Sequence, residues 1–468
     1  EIAAGLEESK AQELSNLAWA FARSSAHEPE LFQKLAREAV AKLHNFTPQG
    51  ISNLAWAFAT AGVDDEELFH ALAQEALLRL PLCSALQLTN IAWAFASASL
   101  EDLELLSALA AEAEGRLEEF TPRGLANLAW ASATLGRADS AALLTAAARQ
   151  LARAVSTGDT SLASLGKDVA SVVWALSSAG LDASGAVPAV AALRSAAARA
   201  DAVGAHSGAR LPALARRRGS ERVQGPEAVL DLPGVLVLWK PPHWEVEPSQ
   251  EGQAGQDLEQ IPQLLDFIRS RVPRRGCPIA YDREHHYGFL HRLDVPSSGL
   301  VLAAKTYRTY HDLQLQLSAG ELVRDYAVLC HGWVPPELRE VDAPVLWSRR
   351  ESTLSSVSRR GKPSRTKARV LAHATARATW RTVSLLGFRI ATGRRHQIRL
   401  HTAHVGHPTI CDGRYTAAPS FRADWSWCPR NFLHRYNLGF DDCGGTRRDV
   451  VEALPADLRS ALSRLRPR

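Results

Sequence analysis

A spacing constrains this chain more than any other feature: Trp19, Trp56, Trp93 and Trp130 follow one another at intervals of 37 residues. Each sits in a copy of one segment, first met at residues 14–22 and begun again at Ile51, Leu88 and Leu125, with a degenerate fifth copy around Trp174. Within the first copy Leu14, Leu17, Ala18 and Phe21 recur at i, i+3, i+4 and i+7, the stripe of an amphipathic helix. A second helical pattern, starting at Glu30 and again at Glu67, fills the interval between copies. Phe46-Thr47-Pro48 and Phe120-Thr121-Pro122 supply a capping threonine and a proline suited to a first helical turn. Short helix pairs of this kind must stack on their neighbours to bury an apolar face, which predicts an all-α solenoid of helical hairpins over residues 1–200.

Asn16, Asn53, Asn90 and Asn127 share one position of the repeat. In a motif otherwise made of Ala, Leu and Trp they read as caps or bridges between adjacent repeats. The motif resembles the octatricopeptide-type helical repeats of organellar RNA-processing proteins, and that resemblance implies the other reading, in which polar residues on one helix face read a single strand. Charge weighs against it. Residues 1–200 hold 14 Lys and Arg against 23 Asp and Glu, a net −9, so a protein partner is the alternative expectation for this half.

Residues 201–468 hold 40 Lys and Arg against 27 Asp and Glu, a net +13, and contain all seven tyrosines. A positive field raises the local concentration of polyanions, so nucleic acid is the expected partner of this half. Residues 201–229 are rich in Ala, Arg, Gly and Pro, include Arg216, Arg217 and Arg218, and read as a linker. A second irregular stretch, residues 247–255, precedes a helix-like run at 261–272. From 230 to 468, apolar or alternating runs at 235–239, 299–304, 326–329 and 383–390, interrupted by helices such as 310–318, predict an α+β domain around a largely antiparallel sheet.

The six cysteines form no Cys-x-x-Cys pair, which argues against a zinc ribbon or a disulfide framework and suits a reducing compartment. No apolar run approaches the roughly 20 residues of a membrane span, so no membrane partner is expected. The chain begins at Glu1 and contains no Met, and the expectation is that this is not the initiator end. His396, His401, His404 and His407 crowd twelve residues, but helical zinc sites place His at i and i+4 and no Cys or Glu completes the set. No metal is expected there, and these histidines read as strand-end and turn residues.

The stretch that suggests chemistry is Gly288-Phe289-Leu290-His291-Arg292-Leu293-Asp294, followed by an apolar run that breaks at Pro296 and Gly299. Arg292 and Asp294 form a charged pair where a strand meets a turn. Taken alone, Asp294 reads more simply as a turn residue and Arg292 as a solvated charge. A carboxylate with no second acid nearby in sequence, no metal-ligand spacing and no phosphate-binding glycine loop is not the apparatus of a two-carboxylate glycosidase, a metal hydrolase or a nucleotide-dependent enzyme. It still suits a base or nucleophile at a sugar carbon.

Four blocks in order change the weighing. The His291-Arg292-Leu293-Asp294 block, the strand at 235–239 with its Lys240-Pro241 turn, the segment 324–332 around Tyr326, and the stretches 392–401 and 406–415 resemble the RluA-type RNA pseudouridine synthases. Ser297 stands where that family commonly has Thr, Arg395 where Thr is common, and Cys411 where Gly is common. The resemblance implies a cofactor-independent isomerase that converts uridine to pseudouridine in rRNA or tRNA. It implies that Asp294 is the catalytic carboxylate acting at the ribose, that Arg399 pairs with it, that Tyr326 stacks on the uracil, and that Arg292 fills the gap left by the extruded nucleotide. His291, Lys240, Arg395, His396 and Gln397 are then expected to contact RNA. The rival expectation is a non-catalytic RNA- or protein-binding factor that keeps the synthase fold. No compartment is legible, although likeness to organellar repeat proteins points toward a plastid or mitochondrion.

Overall fold

The computed structural model describes residues 6–24, 28–63, 65–100, 102–135, 141–155, 161–204, 225–248, 261–272, 274, 276–346, 355–359 and 361–467. The chain divides into two compact units, Glu1–Leu193 and Arg194–Arg468.

The first unit is helical: α1 Ala11–Ser24, α2 Pro29–Lys42, α3 Pro48–Ala61, α4 Glu66–Leu77, α5 Ala85–Ala98, α6 Leu103–Glu114, α7 Pro122–Thr134, α8 Ala141–Val155, α9 Leu162–Ser178 and the start of α10 Val187–Gly204. The first four odd-numbered helices begin at Ala11, Pro48, Ala85 and Pro122, and α1, α3, α5, α7 and α9 pack on one another in succession. Helices α2, α4, α6 and α8 form the second layer. Edge-to-face aromatic contacts join the layers, Phe32 to Phe58 at 5.0 Å and Phe69 to Phe95 at 5.3 Å. Thr47 Oγ1 accepts from Gly50 N at 3.2 Å and Thr121 Oγ1 from Gly124 N at 3.1 Å, while Ser84 and Gln87 form a reciprocal capping box.

The repeated asparagines do not cap or bridge. Asn16 is exposed, Asn53, Asn90 and Asn127 are half-exposed, and none of their side-chain amides makes a hydrogen bond with a described residue. The expectation that they tie repeats together is therefore corrected: the Ala and Leu stripe already holds the layers, and the amides stand outside it. The tryptophans three residues on share that face. Trp19 is 38% exposed, and the Trp56 and Trp93 rings lie 6.4 Å apart.

Where the sequence suggested a linker at 201–229, α10 continues to Gly204 and a strand begins at Glu227. Residues 205–224, with Arg216, Arg217 and Arg218, lie outside the described residues.

The second unit contains β1 Glu227–Asp231, β2 Val235–Lys240, α11 Leu264–Arg269, β3 Ser298–Ala304, α12 Tyr307–Ala319, β4 Val323–His331, β5 Glu340–Asp342, β6 Val345–Leu346, β7 Ser356–Val357 and β8 Arg365–Ala376. It continues through β9 Thr382–Ile390, α13 Gln397–His404, α14 Ala418–Trp425, β10 Leu433–Asp441, β11 Arg447–Val451, α15 Ala456–Ser463 and β12 Leu465–Pro467. Its main sheet runs β1-β2-β3-β10-β4-β9-β8-β12 among the described residues, with β11 on β10 and β5 on β8. All pairings are antiparallel except β3 with β10. Gly299, read from sequence as a break, lies inside β3: a Cβ there would fall within 3 Å of three backbone atoms of Arg435. The larger core packs β2, β3, β4 and β9 against α11 and α12, and no helix among the described residues is long and apolar enough to cross a membrane.

Candidate active site

The segment before β3 is anchored by its apolar residues. Phe289 and Leu293 are 3% and 5% exposed, and Leu290 N donates to Leu302 O of β3 at 3.2 Å. Ser297 N donates to Asp294 O at 3.0 Å and closes the turn. With Leu293 turned inward, Arg292 is exposed and the Asp294 side chain is left 19% exposed.

Helix α13 and the residue before it bring two groups to that carboxylate. Arg399 of α13 donates from Nη1 to Asp294 Oδ2 at 2.9 Å. The same guanidinium donates from Nε and Nη2 to the two oxygens of Asp412, both at 2.7 Å. Asp412 is fully buried and also accepts from Arg414 N at 3.0 Å, Tyr415 N at 3.3 Å and Thr409 Oγ1 at 3.1 Å. One arginine is thus clamped by a bidentate pair and presents its remaining edge to Asp294. His396 precedes α13 in the left-handed region at φ 56°, with Nε2 3.9 Å from Asp294 Oδ2 and Nδ1 2.8 Å from the Tyr415 hydroxyl. Cys411, at the position where the resembling family commonly has Gly, has φ 57°.

Burial opposes charge on Asp294, but the charges of His396, where protonated, and of Arg399 and Arg292 outweigh it and hold the carboxyl below its usual range. Burial pushes His396 down to about 4, so at neutral pH the imidazole is uncharged and Arg399 is the cation that keeps Asp294 ionised. Asp412, despite burial, is held low chiefly by its bonds to Arg399.

Behind this group lies a second buried arginine. Arg435 of β10 is 1% exposed, donates from Nε to the Tyr326 hydroxyl at 2.8 Å and lies 4.9 Å from the centre of that ring. It also donates to His291 Nδ1 at 2.6 Å, Leu300 O at 3.0 Å and Arg292 O at 3.3 Å, tying Tyr326 to the Asp294 segment.

Expected RNA contacts divide accordingly. His396 stands beside Asp294, and Arg395 is half-exposed. Lys240 is corrected: it is wholly buried, donating to the carbonyls of Pro241, Trp244 and Val295 at 3.0, 2.8 and 3.3 Å, and burial pushes its pKa down to about 7. Gln397 is corrected too, since at 3% exposure it bonds Thr392, Arg394, Arg365 and Thr366 and secures the start of α13. His291 faces Arg435, and burial keeps it neutral. The histidines expected at strand ends fall on or beside α13, with His401 Nε2 2.9 Å from Ala343 O and His407 Nδ1 2.9 Å from His331 O. No group of three or more His, Cys, Asp or Glu among the described residues is placed to hold a metal.

Sequence reasoning missed Asp412, Tyr415 and Arg435. Asp412 and Tyr415 lie inside the 406–415 stretch, and Arg435 sits in a mixed run at 432–440 whose sequence carries no sign of its role.

Fold and site together define the class: the C-terminal half carries a pseudouridine synthase domain. Residues 234–404 match the family described as RNA pseudouridylate synthase, and residues 3–140 match the family described as RNA-editing substrate-binding complex 6 protein. Among individual relatives, an uncharacterized RNA pseudouridine synthase of Chloroflexus aurantiacus is 32% identical over 206 residues, covering 44% of this chain and 60% of that protein. The ribosomal large subunit pseudouridine synthase D of Yersinia pestis is 29% identical over 245 residues, covering 50% and 68%. The chain thus spans about 60% of the first relative's length. The solved structure of human RNA pseudouridylate synthase domain containing 1 aligns with a TM-score of 0.40 at 23% identity, covering 54% of this chain and 92% of that one.

Proposed function

We propose that this chain isomerises uridine to pseudouridine in a structured rRNA or tRNA, with Asp294 as the catalytic carboxylate. The observation that carries this reading is the ion pair of Asp294 with an arginine already clamped by Asp412, at a partly open position beside an uncharged imidazole. The reaction breaks the N-glycosidic bond, turns the uracil while it is held, and forms a carbon–carbon bond with no net redox change. A carboxylate held ionised at neutral pH serves either attack at the anomeric carbon or removal of the neighbouring 2′ proton. In this reading Tyr326, 3% exposed and bonded through its hydroxyl to Arg435, is the ring that meets the uracil, and the exposed Arg292 occupies the space the nucleotide leaves in the stack. A domain kept only for binding has no need of Asp294, Tyr326 and Arg399 together, which disfavours the non-catalytic rival.

The repeat unit acts in this reading as a selector of target. Its asparagine row, lacking partners among the described residues and flanked by partly exposed tryptophans, suits a ligand that itself repeats, such as a single strand. The principal test is Asp294→Asn, assayed by carbodiimide mapping of new pseudouridines in an rRNA and tRNA pool. Turnover should vanish while RNA affinity stays within a few-fold, and new sites made by the variant would overturn the assignment.

A further inference from the structure

Away from Asp294, the β8–β9 turn, β12 and α14 meet in a surface that the reaction does not use. Trp380 at the turn is 68% exposed, and Arg466 of β12 lies over it at 5.1 Å from the ring centre. Arg377 and Arg381 flank that turn; Arg377 N donates to Arg464 O at 3.1 Å, and Arg381 Nη1 donates to Ser420 Oγ of α14 at 2.8 Å. Arg464 Nη1 reaches Ser426 O, just past α14, at 3.4 Å, so the three elements form one continuous patch. On α14 itself Trp425 is 57% exposed beside exposed Arg422.

Two properties define this patch. All five arginines are exposed, and none forms a salt bridge with a carboxylate of a described residue. The acids nearby are spent: Asp424 accepts from Cys411 N and lies 2.8 Å from His331 Nε2, and Asp457 is bonded to Arg430. Unpaired arginines recruit phosphates, and exposed tryptophans with one cation already over a ring offer a flat face to an unpaired base. An acidic protein surface would use the arginines but gain little from two bare indoles.

We infer that this surface is a second RNA-binding site, taking a single-stranded segment of the substrate outside the catalytic pocket. The inference rests on the reading of the domain as an RNA-modifying one and deepens it. The site is braced to the first: Asp424, next to Trp425, holds Cys411 N, and the following residue is the Asp412 that clamps Arg399.

The test uses the full chain and a fluorescein-labelled oligouridylate of about twelve nucleotides, titrated by anisotropy over a range of salt. Trp380→Ala with Trp425→Ala should weaken binding by about tenfold or more with an unaltered salt slope, and Trp380→Phe should restore much of it. Arg377→Gln with Arg466→Gln should instead flatten the slope of log K against log salt by about 0.7 per arginine. All four side chains are exposed, so melting should not move. Unchanged affinity and slope would overturn the site, and so would equal, tryptophan-dependent binding of an oligoglutamate of the same length. Failure of the catalytic reading is separable. Loss of affinity in these variants of a chain that makes no pseudouridine keeps the surface and sinks the activity, whereas pseudouridine formation with undiminished affinity does the reverse.

Discussion

Arg399 is the residue on which the candidate chemistry turns, because it answers to two acids at once. Removing it as Arg399→Ala leaves Asp412 charged and buried, which should cost roughly 3–5 kcal/mol in a denaturant melt and abolish pseudouridine formation. Unaltered melting would mean the clamp does not form. Asp412→Asn tests positioning: with one side of the fork loosened, turnover should fall by up to about a hundredfold while RNA affinity holds. His396 sets a pH window of its own. Its folded pKa of about 4 lies below the ordinary 6.5, so on acidification the unfolded chain takes the proton first. The stability tied to neutral His396 is therefore present above pH 6.5 and lost between 6.5 and about 4, on the order of 3 kcal/mol. Asp294 and Asp412, held below 3.8, contribute stability that persists through that window and is lost only at lower pH. Urea melts across pH 4 to 6.5 should show the slope in the parent and a flatter one in His396→Gln. Asp294 and Arg399 were legible in sequence because their blocks are contiguous strings. Asp412 was not recognised as a partner, since the pairing that gives it meaning is made across the fold.

At the scale of elements, legibility followed periodicity. The Trp spacing announced α1, α3, α5 and α7, and threonine with proline marked where two of them start. Thr47→Ala should accordingly lower stability by about 1 kcal/mol, read from helix signal in a urea titration. The asparagines were misjudged because a polar residue in an apolar motif was assumed to be satisfied internally, and only the packed helices show the amides outside the stripe. Lys240 and Gln397 were misjudged for the opposite reason: polar residues in a candidate site were assumed to face ligand, yet each secures backbone from within. Gly299 reads in sequence as the break that opens the run at 299–304, and nothing in the sequence shows that β10 passes against it. Gly299→Ala should force β3 and β10 apart, shift Arg435 and with it Tyr326, and appear as a loss of both stability and turnover. A variant with normal melting would show that the strands separate at little cost.

Over the whole molecule, charge divides between two compact units. Residues 1–200 carry a net −9 and the remainder +13, so the electrostatic part of RNA binding should reside in the second half. That half has a sheet and apolar core of its own, and a truncated chain beginning at Arg194 should fold, bind RNA with steep salt dependence and modify a short substrate at the parent rate. What it should lose is choice: on a mixed rRNA and tRNA pool the truncated chain should modify more sites, or none of the native ones. Residues 1–200 alone should bind single-stranded RNA weakly and with little response to salt, because any affinity must come from amides and indoles rather than cations. Replacing Asn53 and Asn90 together by Ala should then relax site choice in the full chain without changing its salt slope. Selection that survives both the truncation and the double substitution would place specificity in the synthase unit itself and remove the repeats from the reading of RNA.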